Sequence, residues 1–284
     1  MTDVTAPEIL QPLGRTRIMG VLNVTPDSFS DGGKWFETRT AIDHGLALVE
    51  SGADLVDIGG ESTRPGSVRV PEDEELRRVV PVTRELAAQG VTISVDTMRA
   101  SVARAALDAG ATIINDVSAG QSDGGMLELA AEYEAPIVLM HWRGYLSQAE
   151  ASFHYDDVVG EVTTELLERV AAAEALGIRR ENIILDPGPG FSKNGHHNWD
   201  LLRGLDELLA LPFPMLVAVS RKRFLATLVS PEDPGAASIA DRDAATAALT
   251  MYAAQAGAWA VRVHEARASR IAVDVATELA KGQA

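Results

Sequence analysis

The chain reads as an α/β protein folded into a single (β/α)8 TIM barrel, and three observations predict it. Short apolar runs rich in Val, Ile and Leu recur eight times, each followed by a longer helical pattern, and eight strand and helix units close such a barrel. The runs are mostly apolar throughout instead of alternating with polar residues, as strands buried on both faces should be. No linker, low-complexity segment or composition shift divides the 284 residues, a length that barrels of this kind commonly occupy as one unit. The competing open doubly wound sheet carries a Gly-x-Gly-x-x-Gly fingerprint after its first strand, and none stands there.

Taken in order, the strand at 17–23 feeds a helix at 39–51, and the strand at 55–59 a helix at 72–89. The strands at 92–96 and 112–116 lead to helices at 99–109 and 123–133. Those at 136–140 and 183–186 lead to helices at 156–177 and 199–209. The last two, 215–220 and 260–264, lead to helices at 240–257 and 267–281. Gly52, Gly90, Gly110, Gly177 and Gly257 stand where these helices stop, since glycine takes the left-handed conformation that ends a helix. Residues 1–16 read as a flexible lead-in and 17–284 as the single barrel domain.

The balance of 41 acidic against 25 basic residues gives a net charge of −16, which repels nucleic acid and anionic membranes. An anionic substrate therefore needs a local cluster of cations. Zero cysteines exclude disulfides, thiolate metal sites and a cysteine nucleophile. The start of the chain lacks a basic segment followed by an apolar core, and no run reaches membrane-spanning length, so a cytoplasmic protein is expected.

Barrel chemistry gathers at the C-terminal ends of the strands. The residues found there are Asn23, Gly59, Asp96, Asn115 with Asp116, His141, Asp186, Ser220 to Arg223, and Arg262 with His264. Asp96, Asn115 and Asp186 converge on the barrel axis in this reading. A buried carboxylate is costly unless paired, so a flat ligand with several N–H donors is their counterpart. The plainer alternative is that these residues cap the following helices. Ser220, Arg221, Lys222 and Arg223 after strand seven, with Arg262 and His264 after strand eight, form a cationic half in the loops that are the usual phosphate site of this fold. Arg262 and His264 are two residues apart on a strand and point to one side; a surface basic patch is the alternative. Asn23 suits Mg²⁺, which takes few protein ligands and is completed by water and phosphate, or else it is a turn residue.

Two strand ends open into long polar loops. Residues 23–33 read Asn-Val-Thr-Pro-Asp-Ser-Phe-Ser-Asp-Gly-Gly, and residues 59–66 read Gly-Gly-Glu-Ser-Thr-Arg-Pro-Gly. In order and position they resemble the signature loops of the dihydropteroate synthases, pterin-binding barrel enzymes of the folate pathway that sulfonamides inhibit. The resemblance covers residues 17–275. It implies that 6-hydroxymethyl-7,8-dihydropterin diphosphate and 4-aminobenzoate are joined into 7,8-dihydropteroate with release of diphosphate. It further implies that Asp96, Asn115 and Asp186 hold the pterin while Lys222 donates to its acceptor side. Arg262, His264, Thr63 and Mg²⁺ on Asn23 would hold the diphosphate, and Asp31 in the first loop would act in catalysis. Ser62, Thr63, Arg64, Pro65, Phe191 and Arg223 would line the aminobenzoate side. The family commonly forms homodimers through outer helices.

Two positions depart from the family pattern. Arg223 stands where many relatives have serine, so the aminobenzoate carboxylate is expected to meet backbone N–H groups of the following helix, with or without Arg223. Pro189 stands where an aliphatic residue is common. His141 either lines the mouth or supports its neighbours, and His196-His197, lacking a third ligand, reads as solvated loop. Arg15 and Arg17 belong to the barrel floor or the lead-in. The competing activities are a corrinoid-linked pterin methyltransferase, which has no use for the first loop, an aldolase with a Schiff base at Lys222, and a catalytically silent pterin-binding paralogue.

Overall fold

Eight parallel strands alternate with helices in the computed structural model, which describes residues 6–25, 34–61, 69–144 and 153–281. The strands are β1 (Arg17–Asn23), β2 (Leu55–Gly59), β3 (Ile93–Asp96), β4 (Ile113–Asp116), β5 (Ile137–Met140), β6 (Ile183–Asp186), β7 (Leu216–Val217) and β8 (Ala260–Val263). The helices are α1 (Lys34–Glu50), α2 (Glu72–Ala88), α3 (Ala100–Asp108), α4 (Gly125–Glu132), α5 (Val158–Ala175), α6 (Gly195–Arg203), α7 (Leu205–Leu209), α8 (Arg223–Val229), α9 (Ile239–Ala256) and α10 (Ala266–Ala280). β1 pairs with both β2 and β8, so the sheet order is β6-β5-β4-β3-β2-β1-β8-β7. The remaining seam is spanned by a bridge between Leu185 and Met215, with the Leu185 N–H donating to the Pro214 carbonyl at 2.9 Å. The expected (β/α)8 barrel is the fold observed.

Strand alternation sorts the apolar runs into two cores. Ile18, Val56, Ile114, Ile137, Ile183, Val217 and Val261 belong to the core shared with the helices. Their immediate neighbours Met19, Leu55, Ile113, Val138, Ile184, Leu216 and Ala260 fill the barrel interior. Side chains repeat their direction every second residue along a strand. The next inward positions are therefore Val21, Asp57, Asn115, Met140, Asp186 and Arg262, and on β3 Ser94 and Asp96. An apolar plug below and a polar layer above follow from this one periodicity.

The lead-in departs from expectation over residues 6–16, which pack on the barrel floor. Leu10 is buried in the interior cluster with Trp259, and the Trp259 indole donates to the Ile9 carbonyl at 3.3 Å. Arg17 donates to the Gln11 carbonyl at 2.5 Å, and Arg15 forms a bidentate pair with Asp54. An open barrel bottom would leave the apolar plug in water, which gives this segment a reason to order.

Helix ends fall close to expectation, with three differences, the first being that α1 begins at Lys34 and not at 39. The helix expected at 199–209 begins at Gly195 and breaks at Gly204 into α6 and α7, and α8 has no counterpart among the helices that the sequence predicts. All five anticipated glycines have positive φ, between 80° and 109°. Glu134 ends α4 in the same way at φ 50°, and the Ala135 N–H reaches back to the Ala130 carbonyl at 3.0 Å. A side chain in this conformation costs roughly 1–2 kcal/mol, partly offset by the larger unfolded-state freedom of glycine. Glu134→Gly is therefore expected to stabilise the protein by about 0.5–1 kcal/mol, read as a higher denaturant midpoint at unchanged slope.

Candidate active site

Arg262 organises the centre of the polar layer. Its Nε donates to Asp57 Oδ2 at 2.6 Å and its Nη2 to Asp96 Oδ2 at 2.7 Å. The Asn115 amide donates to the same Asp57 oxygen at 3.0 Å. Asp57 is fully buried, and its Oδ1 has no hydrogen-bond partner among the described residues. Sequence reasoning missed Asp57 because it sits inside an apolar run. Its place two residues above the inward Leu55 was the available signal.

Asp96 and Asp186 are 5% and 3% exposed. Burial pushes the Asp96 carboxyl up to about 7, with Arg262 opposing and Asp57 adding to the rise. Burial also raises Asp186, while Lys222 pulls it down and the Gly188 N–H donates to its Oδ1 at 2.7 Å. Lys222 donates to the Pro189 carbonyl at 2.6 Å and lies 4.0 Å over the Phe191 ring. Burial brings its amine down to about 7, with Asp186 opposing. An acid and a base poised near neutrality, Asp96 and Lys222, can each take the protonation state that a ligand with both donors and acceptors demands.

The cationic half is smaller than expected. Arg221 turns to α9, where Nε and Nη2 each meet an Asp243 oxygen at 2.7 Å. Its φ of 57° is the turn that sends residues 220–223 in different directions. Ser220 Oγ lies 3.0 Å from His264 Nδ1 and accepts the His264 backbone N–H at 3.2 Å, so the serine orients the imidazole. Arg223 is exposed at the start of the seven-residue α8. Asn23 ends β1 beside Gly59: a Cβ placed on Gly59 would lie 3.5 Å from Asp96 Oδ2 and 3.7 Å from Asn23 Oδ1. Asn23 thus ends β1 at the barrel mouth with an amide oxygen, the type of hard neutral donor that Mg²⁺ completed by water and phosphate accepts. No group of three or more His, Cys, Asp or Glu suited to a metal occurs among the described residues.

Asp31, Ser62, Thr63, Arg64 and Pro65 lie outside the described residues. The residues flanking 62–68 are held by a network that sequence reasoning missed. Arg78 donates to the Gly60 carbonyl at 2.9 Å, and Arg99 donates to Glu61 at 2.9 Å and to the Val70 carbonyl at 2.7 Å. Arg99 also pairs with the fully buried Glu75, which accepts from Thr97 Oγ1 at 2.6 Å.

Among the remaining polar strand ends, Asp116 serves its own turn, accepting from Ser118 and Gly120 backbone N–H groups at 2.8 and 2.6 Å. Its inward neighbour Asn115 instead donates to Asp57 and caps no helix. His141 is 2% exposed and set between Glu165 and Lys193. His196 and His197 occupy the first turn of α6, and His197 is buried, which corrects the solvated-loop expectation. Asn194 caps that turn by accepting the His197 N–H at 3.1 Å.

A family model described as pterin binding enzyme matches residues 19–264. A dihydropteroate synthase of Mycobacterium leprae is 50% identical over 93% of this chain and 93% of its own length. One from Streptococcus pyogenes is 45% identical over 94% and 96%. Among solved structures, a Xanthomonas albilineans dihydropteroate synthase with 4-aminobenzoic acid superposes with a TM-score of 0.83 at 46% identity, covering 95% of this chain and 94% of its own. A Yersinia pestis dihydropteroate synthase with a sulfonamide drug complex superposes with a TM-score of 0.87 at 39% identity, covering 98% and 99%. The chain belongs to the pterin-binding enzyme family. Its activity is that of a dihydropteroate synthase, a transferase of folate synthesis.

Proposed function

We propose that the chain condenses 6-hydroxymethyl-7,8-dihydropterin diphosphate with 4-aminobenzoate to give 7,8-dihydropteroate and diphosphate. The observation that carries this reading is the gathering of Asp96, Asn115 and Asp186, each at most 5% exposed, around Lys222, whose amine feels both carboxylates. The aminopyrimidinone edge of the pterin offers N–H donors to these carboxylates, and Lys222 donates to its acceptor side. On this reading the Arg262 guanidinium, His264 and Thr63 face the diphosphate. Asp31 belongs to the first loop, and Ser62, Thr63, Arg64, Pro65 and Phe191 enclose the aminobenzoate.

The reaction breaks the bond between the pterin methylene carbon and the diphosphate oxygen and forms a C–N bond to the aminobenzoate amine, which sheds a proton. Charge on the leaving group is the main barrier, and cations preorganised in a water-poor mouth lower it. Mg²⁺ held through Asn23 would supply further positive charge at the diphosphate. The cationic methylene carbon needs protection from water, which enclosure by the loops would give. Sulfonamides compete with 4-aminobenzoate in this reading, and the chain works as a cytoplasmic homodimer.

The test is diphosphate release from the dihydropterin diphosphate, with and without 4-aminobenzoate and with Mg²⁺ or EDTA, while dihydropteroate is followed. Release coupled to dihydropteroate and dependent on Mg²⁺ supports the reading. A folded protein that binds the pterin and makes no dihydropteroate is a silent paralogue. For the carboxylate of 4-aminobenzoate, Arg223→Ala is expected to raise its KM about tenfold with kcat largely kept, the loss of one charge-assisted hydrogen bond. An unchanged KM removes the side chain from that role and leaves the backbone.

A further inference from the structure

The turn between β6 and α6 carries a second lysine that this chemistry does not use. Lys193 Nζ donates to the carbonyls of Gly188 and Phe191, each at 3.2 Å, and lies 2.9 Å from His141 Nδ1. His141 Nε2 lies 3.0 Å from Glu165 Oε2. An ammonium donating into Nδ1 places the ring proton on Nε2, where it is given to the carboxylate. The imidazole stays neutral: burial and then Lys193 push it down to about 4. Glu165 stays ionised, held down to about 2 first by its hydrogen bond to His141, against burial, and then by Arg143. A carboxylate, imidazole and ammonium thus run in series from α5, past the end of β5, to the turn after β6.

That turn presents three groups of the proposed site. Its Gly188 N–H donates to Asp186, its Pro189 carbonyl receives Lys222, and its Phe191 ring lies beneath the Lys222 amine. It has little room to shift. Gly188 has φ 65°, and a Cβ there would meet the His141 carbonyl at 2.6 Å. Gly190 has φ 79°, and a Cβ there would meet Lys222 Cδ at 2.4 Å.

We propose that Lys193 is a positioning residue for pterin recognition: its ammonium, oriented by His141 and Glu165, holds the Gly188 to Phe191 turn and keeps Asp186 a carboxylate. This inference rests on the dihydropteroate synthase reading and deepens it. The charged groups facing Lys193 are Asp186 on β6, Lys222 after β7, Arg143 after β5 and Glu165 on α5. Asp186 in turn faces Lys222, Lys193 and Arg262. Removing the Lys193 charge therefore takes away one of three cations that oppose Asp186 protonation. Burial lowers the Lys193 amine to about 7, so its ammonium is present below that pH, where Asp186 needs it, and is lost above.

The experiment compares pH profiles of kcat/KM for the dihydropterin diphosphate in the full chain, its Lys193→Met, Lys193→Arg and Glu165→Gln variants, with thermal unfolding of each. Lys193→Met is expected to raise the pterin KM about tenfold and to move the acid limb up by roughly one pH unit. Lys193→Arg is expected to restore the limb, because the charge returns. Glu165→Gln is expected to move it the same way by a smaller amount, since it weakens the hold of Lys193 on its proton. A folded Lys193→Met with the wild-type KM and limb overturns the proposal. If that variant does not fold, an unmoved limb in Glu165→Gln overturns it. A wild-type chain that makes no dihydropteroate sinks the activity reading instead, and the same limb is then read from pterin diphosphate binding by calorimetry.

Discussion

Arg262→Ala is expected to lose about 3–5 kcal/mol of folding stability at pH 8, the usual cost of stranding a buried charge partner. Asp57 is fully buried and Asp96 is 5% exposed, and both carboxylates take their ion pair from this guanidinium. The loss should shrink as the pH falls. Burial and Asp57 already raise Asp96 to about 7 against the pull of Arg262, and removing that pull raises it further. A carboxyl raised in the folded state contributes stability that is fully present below its unfolded value near 4 and is lost as pH rises through the folded value. The variant therefore recovers part of its deficit at pH 6, where the carboxyl holds a proton. Denaturant unfolding of both proteins at pH 6 and 8 checks this. A loss under about 1 kcal/mol at both values would show that the pairs are replaceable by solvent.

Asp186→Asn should cut kcat/KM for the pterin substrate by roughly 10²–10⁴, while folding stability changes by less than about 1 kcal/mol. Asparagine keeps one oxygen to accept the Gly188 N–H, the contact that Oδ1 makes at 2.7 Å. Its other arm becomes an N–H₂ that faces the ligand's own donors. Two charge-assisted hydrogen bonds at about 1.5–3 kcal/mol each disappear, and every 1.4 kcal/mol is tenfold. The fold is spared because burial already disfavours the charged carboxylate there. Binding of the dihydropterin diphosphate by calorimetry separates recognition from chemistry. Near wild-type affinity in a folded variant would remove Asp186 from the pterin.

The barrel was legible because its strands are buried on both faces and its helices stop at glycines, both of which are written locally. Where the local signal is weak, pattern and structure part. β7 has two residues in the structure, Leu216–Val217, although the apolar run extends from 215 to 220, because the chain leaves the sheet to form the turn at Arg221. α8 is too short to show a period. Glu134 ends a helix without the glycine that would have announced it.

Asp96, Asn115, Asp186, Lys222, Arg262 and His264 were legible in the sequence because a polar residue ending an apolar run is conspicuous. Asp57, Glu75, Arg99, Lys193 and Glu165 were not, since each acts through a partner from another unit. The Arg262 pairing with Asp57 joins residues 205 positions apart. The His141 contact with Lys193 spans 52. Such pairings leave no local pattern.

By itself the sequence determined the eightfold alternation, the strand ends that bear polar groups, and the two loops that mark the family. Only the tertiary structure decided which polar residues face one another, that the lead-in seals the barrel floor, and that Arg221 turns away while Arg262 turns in. The physical reason is that periodicity and turn chemistry act between near neighbours along the chain. Charge pairing and burial act between near neighbours in space, and those are known only once the barrel has closed.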